Sequence, residues 1–361
     1  MLDYRELISS QLPALHLLTG IGWQYLTPDQ ANTLRGNRRD AVILDGVLSD
    51  WLRTHNAIRY QGQRVPFSDA NLLEALRRLK DINPTRGLIP ASMDMYELLT
   101  LGTSLDQTIN GDKRGFSLQY IDWQHPENNV YHVTDEFSVE VKGSKQTRRP
   151  DIVLFVNGIP LAVIECKRSD LDDPLGQAIS QMIRNQGQTE IPHLFTYAQL
   201  LVAAQPNEVK YGTTGTTLDY WAMWKEAIDL TAVSAAINRP LSEVEQSALY
   251  DWRDEGNKAR QHFATLGERL PTEQDRTLYA LFRPERLLEL AYQFIVYDNS
   301  VKKVARYQQY FAIKATLDRV VGINAQGART GGVIWHTTGS GKSLTMVMLA
   351  KALALHPVGV I

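Results

Sequence analysis

Two dense apolar runs, residues 152–156 and 159–164, meet at Asn157-Gly158. No other feature of the chain narrows its fold so far. A strand with one wet face alternates apolar and polar side chains. A strand that is apolar on both faces belongs in the middle of a sheet covered on both sides. Two such strands joined by a turn predict a central hairpin. Short strand-like pieces at 117–121, 130–133 and 137–141 precede it, and a helical stretch over 175–184 and an apolar strand over 194–204 follow. Residues 116–212 therefore read as one mixed α/β domain built around that hairpin.

The flanks are plainer. Residues 1–110 read mostly as helices and polar loops, with Leu72, Leu73, Leu76 and Leu79 at helical spacing. From about 215 to 300 the pattern is helical again, with Trp221, Trp224, Leu249, Tyr250 and Trp252 interleaved with charge and a helix start at Arg283-Pro284. The 361 residues suffice for two domains at roughly 150 residues each. With 38 Lys and Arg against 40 Asp and Glu, the net charge of -2 excludes a polybasic protein whose whole surface attracts nucleic acid. A local basic groove stays open. The single cysteine, Cys166, excludes an internal disulfide framework and a multi-cysteine zinc site. With no signal pattern and no long apolar run, the expectation is a cytoplasmic protein without a membrane span.

The ends of the hairpin carry charge. Arg148-Arg149-Pro150-Asp151 leads into the first strand, and Glu165-Cys166-Lys167-Arg168 closes the second. Glu165 and Lys167, two apart, project from one face of a strand. Whether Asp151 joins them depends on the turn. A two-residue loop at Asn157-Gly158 sets Asp151 opposite Ile164, on the wrong face. A three-residue loop with Gly158 left-handed sets it opposite Val163, diagonal to Glu165 and on its face, and that bulged turn is the expectation. Two carboxylates at one strand end, with the Cys166 carbonyl between Glu165 and Lys167, suit Mg²⁺, an oxygen-loving ion that keeps some waters and binds phosphate oxygens. Lys167 is placed to orient a water or neutralise phosphorane charge. The nearby run Lys142, Lys145, Arg148 and Arg149 reads equally as a phosphate-contacting strip or as a solvated loop. A salt-bridged strand end, with Lys167 merely pairing an acid, is the bland alternative for the whole cluster.

The second informative segment is Gly331-Gly332-Val333-Ile334-Trp335-His336-Thr337-Thr338-Gly339-Ser340-Gly341-Lys342-Ser343. It predicts a short apolar strand, a glycine-rich turn and a helix, the arrangement that curls backbone N–H groups around a polyphosphate. Thr338, Gly339, Ser340 and Gly341 would line the loop of an ATP site, Lys342 would reach the phosphates and Ser343 would ligate Mg²⁺. The strict P-loop pattern has Gly where this chain has His336.

Asp151, Glu165 and Lys167 occupy the three signature positions of the PD-(D/E)xK nuclease core, which the hairpin resembles. Gln181, in 177–186, resembles the Gln of the Gln-x-x-x-Tyr element that follows this core in type I restriction enzymes, although Asn185 stands where Tyr is usual. Lys210 falls where that family tends to place a basic residue, and Glu6 is a possible further acid. The looser phosphate loop is similar to that of superfamily-two helicases, in which a preceding Gln bonds the adenine edge. Gln309 is the candidate, with Gln308 as the alternative.

This order resembles the R subunit of type I restriction enzymes. The resemblance implies a PD-(D/E)xK nuclease-like mixed sheet flanked by helices (residues 1–213), a helical connector (214–300) and the start of a RecA-like helicase domain (301–361). It implies Mg²⁺-dependent cleavage of double-stranded DNA, ATP-driven translocation in the assembly, and methyltransferase and specificity subunits as partners. The Walker B acid and second lobe of that family are not in the chain, so the motor is expected to be incomplete here. A repair nuclease–helicase without methyltransferase partners and a nuclease-inactive DNA-binding module are the competing readings.

Overall fold

The computed structural model describes residues 4–81, 86–322, 327–329, 331–335, 337, 339 and 341–355. Six strands form the main sheet, in sequence order: β1 (Gln24–Tyr25), β2 (Tyr131–Asp135), β3 (Ile152–Val156), β4 (Ile159–Cys166), β5 (Leu200–Gln205) and β6 (Glu208–Gly212). β1 runs parallel to β2 and β4 parallel to β5; the other neighbours are antiparallel. Every residue of β3 and β4 is buried, as the two apolar runs require. The fold is therefore a mixed sheet flanked by helices, the architecture that the sequence predicts.

The turn between β3 and β4 differs from the expectation. Asn157 (φ 52°) and Gly158 (φ 81°) are both left-handed, which makes a two-residue loop with Val156 opposite Ile159. Asn157 cannot swing out into a longer loop. Its side chain accepts from Val130 N–H at 2.8 Å and donates to the carbonyl of Tyr120 at 3.0 Å. The register is restored further along. Between Pro160 and Ala162 the ladder slips by one residue, so Ala162 faces Leu154 and Ile164 faces Ile152. Proline has no N–H to give the ladder, and a bulge is where a central strand tolerates it. Continuing that register, Asp151 falls directly opposite Glu165 rather than diagonal to it.

Other expectations need correction. Residues 1–110 contain hairpins as well as helices, at Ala57–Tyr60 with Gln63–Pro66 and at Thr103–Ile109 with Asp112–Leu118. The second turns on Asn110-Gly111, both left-handed (φ 52° and 85°), a hairpin signal plainly present in the sequence. It also absorbs the start of the piece expected at 117–121. The strand expected over 194–204 is a helix, Pro192–Tyr197, followed by β5, because Pro192 pre-sets the first helical turn.

The N-terminal helix is α1 (Leu12–Gly20), entered through a π-turn over Leu7–Gln11. Helix α2 (Pro174–Asn185) follows β4, capped by the Asp173 side chain, which accepts from Gly176 N–H at 3.1 Å. Beyond the sheet come α3 (Glu243–Tyr250), α4 (Gly256–Leu266), α5 (Glu273–Phe282), α6 (Tyr307–Val321) and α7 (Lys342–Ala354), with further short elements between them. These later helices return to the N-terminus. Trp23 Nε1 donates to the Phe282 carbonyl at 2.8 Å, and Arg269 donates to that of Pro13 at 3.2 Å. Among the described residues no helix is long and apolar enough to cross a membrane.

Candidate active site

The turn and the bulge together bring Asp151 and Glu165 to one end of the two central strands. Asp151 is 6% exposed and Glu165 is wholly buried. The Cys166 N–H donates to Asp151 Oδ2 at 2.7 Å, fixing that carboxylate against β4. Lys167 reaches back over the pair. Its Nζ lies 3.2 Å from Glu165 Oε1, 3.8 Å from Asp151 Oδ2 and 3.5 Å from Glu6 Oε1, and it donates to the Cys166 carbonyl at 2.9 Å. From α2, Gln181 Nε2 donates to the same Glu165 oxygen that Lys167 contacts.

Three carboxylates thus share one lysine in a nearly dry space. Burial, and then the charge of Glu165, push the Asp151 carboxyl well above the usual carboxylate range. Burial raises Glu165 as well, against the pull of Lys167. Burial works against the charge of Lys167, but Glu165, Asp151 and Glu6 outweigh it and hold the ammonium above its ordinary value. The cluster is short of positive charge.

A divalent cation suits that shortage. Glu165 Oε2 is buried and has no hydrogen-bond partner, an oxygen left over by the protein's own contacts. Among the described residues no three or more His, Cys, Asp and Glu side chains gather as a metal site. The donors on offer are therefore two carboxylates and the Cys166 carbonyl, and Mg²⁺ is commonly held by one or two carboxylates with waters completing its shell. The Cys166 thiol is buried and pushed up well above its usual range by that burial, so the main chain is what this residue offers.

Other expected residues stand further off. Asn185 is buried, 2% exposed, and its Oδ1 accepts from Arg184 at 3.5 Å. Lys210 sits opposite Ala203, which in turn sits beside Glu165, so it shares their row; its Nζ lies 3.7 Å from Glu208. The basic strip is largely neutralised. Lys145 pairs with Glu140 (3.3 Å), Arg148 with Glu190 (2.6 Å), Arg149 with Glu136 (3.3 Å) and Arg168 with Asp170 (3.3 Å).

Two residues near the site carried no sequence signal. Asp135, at the end of β2, is wholly buried and accepts from Tyr25, Gln11 and Arg253. Gln11 also reaches the Asp151 carbonyl, at a long 3.5 Å.

At the phosphate loop, Gly339 and Gly341 both have φ of 81°, and α7 begins at Lys342. Thr338, Ser340 and His336 lie outside the described residues. Lys342 Nζ donates to the Thr337 carbonyl at 3.1 Å, and Ser343 is exposed on the first turn. Buried Gln309 accepts from Arg306 N–H at 2.9 Å and donates to the Gly341 carbonyl at 3.2 Å, joining α6 to the loop. The apolar strand expected just before the loop is not formed: residues 331–335 are irregular, with Val333 and Trp335 about nine-tenths exposed. No described strand lies alongside to supply ladder bonds.

A mixed sheet whose central hairpin ends in two carboxylates and a lysine defines a nuclease-type fold. Residues 3–220 match the family described as Type I restriction enzyme R protein N terminus, and the chain belongs to that family. Residues 308–359 match the SWI2/SNF2 ATPase family. Among curated relatives, the putative type I restriction enzyme MjaIXP endonuclease subunit of Methanocaldococcus jannaschii is 30% identical over 71% of this chain and 23% of its own length. The type I restriction enzyme HindI endonuclease subunit of Haemophilus influenzae is 27% identical over 95% of this chain and 29% of its own. The chain thus spans about a quarter of the length of these relatives.

Proposed function

We propose that the chain carries the DNA-cutting site of a type I restriction endonuclease subunit, with Asp151, Glu165 and Lys167 as its catalytic group. The observation that carries this reading is the gathering of those three side chains at one end of the two central strands. Asp151, Glu165 and the Cys166 carbonyl would hold Mg²⁺. When bound, the ion lowers the pKa of a coordinated water and stabilises charge on the scissile phosphate. Lys167, kept protonated by its carboxylate neighbours, offers a cation to the phosphate oxygens or orients the attacking water. Gln181 holds Glu165 in place through its amide.

In this reading residues 1–213 form the nuclease unit, 214–300 a connector and 301–361 the opening of the motor. The phosphate loop would take ATP, with glycine N–H groups and the α7 N-terminus as donors to the phosphates, Lys342 and Ser343 for phosphate and Mg²⁺, and Gln309 for adenine. The substrate is double-stranded DNA, the partners are methyltransferase and specificity subunits, and the assembly works in the cytoplasm.

The test uses the full subunit assembled with those partners. Asp151→Ala and Lys167→Ala should each abolish double-strand cleavage while leaving ATP hydrolysis at the parent rate. Cleavage that persists in either variant overturns the site; failure to co-purify with a methyltransferase–specificity pair overturns the partners.

A further inference from the structure

The Asp135 carboxylate, just outside the site, is wholly buried and held by three side chains. Its Oδ1 accepts from Tyr25 Oη at 2.7 Å, and its Oδ2 accepts from Gln11 Nε2 at 2.8 Å and from Arg253 Nη2 at 2.6 Å. Arg253 comes from the turn between α3 and α4, 118 residues along the chain. It is itself held: Nε donates to the Leu249 carbonyl at 2.7 Å, and the guanidinium lies over the Trp252 ring, 4.2 Å from its centroid. The side chains of Arg253 and Asp135 are 4% and 0% exposed.

Two routes lead from this pair to Asp151. Glu136, the next residue, donates its N–H to the Asp151 carbonyl at 3.1 Å. Gln11 spans Asp135 and that same carbonyl. Gln11 ends the π-turn, whose wider bond from Leu12 N–H to the Leu7 carbonyl sets the pitch between Gln11 and Glu6, the acid that faces Lys167. Single π-turns recur at functional sites. Glu136 adopts a left-handed φ of 51°, uncommon for a residue with a side chain and held only where surroundings impose it.

We propose that Arg253 is a positioning residue: by fixing Asp135, it sets through Gln11 and Glu136 where the Asp151 backbone stands, and with it the carboxylate that receives the cation. The segment that follows the nuclease sheet thereby shapes the nuclease site, and any shift of the α3–α4 turn is felt at Asp151. The proposal rests on the reading that Asp151 holds the metal.

The test titrates Mn²⁺ into the 361-residue chain, following free ion by its paramagnetic resonance, together with amide hydrogen exchange at Glu136 and Cys166, whose N–H groups bind Asp151. Arg253→Met combined with Asp135→Asn removes both charges. It should weaken Mn²⁺ binding by about tenfold or more, in the manner of outer partners of metal sites, and speed exchange at both amides. Arg269→Met with Asp275→Asn removes a second buried pair, 2.5 Å apart with side chains 11% and 0% exposed, that does not touch Asp151. It should change neither readout even if it lowers the melting temperature. Should the first variant not fold, Gln11→Met, which leaves the Arg253–Asp135 pair intact, must show the same two changes. Parent-like affinity and exchange in the folded variant overturn the proposal, and so does an equal loss in the Arg269–Asp275 control. If the parent binds no Mn²⁺ that Asp151→Ala removes, the site reading fails instead, and the exchange at Glu136 and Cys166 still decides the positioning role.

Discussion

His132 sits in β2 between Gln24 and Phe155, 6% exposed, and its Nδ1 has no hydrogen-bond partner. Burial lowers its pKa to about 4, from an ordinary 6.5. The unfolded chain therefore takes up a proton between those values that the fold refuses. For a base depressed in the folded state, stability is full above about pH 6.5 and drains as pH falls toward 4. From pH 7 to 4.5 the loss from this one group is about 2 to 3 kcal/mol. Replacing it by glutamine should remove that part of the slope, so urea midpoints of parent and His132→Gln should diverge at pH 7 and converge at pH 4.5. Equal pH slopes would refute the assignment. His132 and the candidate site illustrate what a sequence exposes at this scale. Asp151, Glu165 and Lys167 were legible because each is a charge terminating a run where every neighbour is apolar. Asp135 and Gln11 were not, because an acid at a strand end and a glutamine on a helix are ordinary, and their partners lie more than 100 residues away.

The hairpin shows how local chemistry fixes an element's register. Both turn residues are left-handed, and Gly158 in addition lies against a neighbouring segment. A Cβ there would stand 2.6 Å from the Leu44 carbonyl oxygen and 3.2 Å from Leu48 N. Gly143 has a similar φ, 74°, but open space around it. Gly143→Ala should therefore cost only the backbone penalty, about 1 kcal/mol. Gly158→Ala should cost at least about 2 kcal/mol, because Leu44, which donates its N–H to the Gly158 carbonyl at 2.8 Å, must also move. Denaturant melts of the two variants measure the difference, and equal losses would mean that the Leu44 contact yields freely. That Asp151 shares a face with Glu165 was legible, but neither the register that sets it directly opposite nor its cause was. The apolar runs predicted the hairpin, and the carboxylate chemistry asked for a register change. Pro160 was the overlooked signal, since a proline inside a central strand implies a bulge beside it. Asn110-Gly111 was overlooked in the same way, its short half-polar strands showing alternating burial rather than a dense apolar run.

Across the whole molecule, near-neutral charge and a basic strip set opposing expectations for DNA. If Lys142, Lys145, Arg148, Arg149 and Arg168 each released a counterion from duplex DNA, log K would fall with log salt at a slope of about -4.5. Four of the five instead pair with an acid within 3.3 Å. A cation that exchanges a carboxylate for a phosphate leaves that carboxylate to be neutralised, so it adds little net counterion release, while the exposed ion pair it gives up is itself worth under about 1 kcal/mol. The strip should thus position a backbone more than it attracts one. Fluorescence anisotropy of labelled duplex DNA with this chain, from low to high KCl, should give a slope shallower than about -2. Glu140→Gln with Glu190→Gln frees Lys145 and Arg148 and should steepen that slope by roughly 2 units, about one per cation. A parent slope near -4.5 that the double variant leaves unchanged would mean that these pairs open at no cost, and that the strip carries DNA affinity by its charge alone.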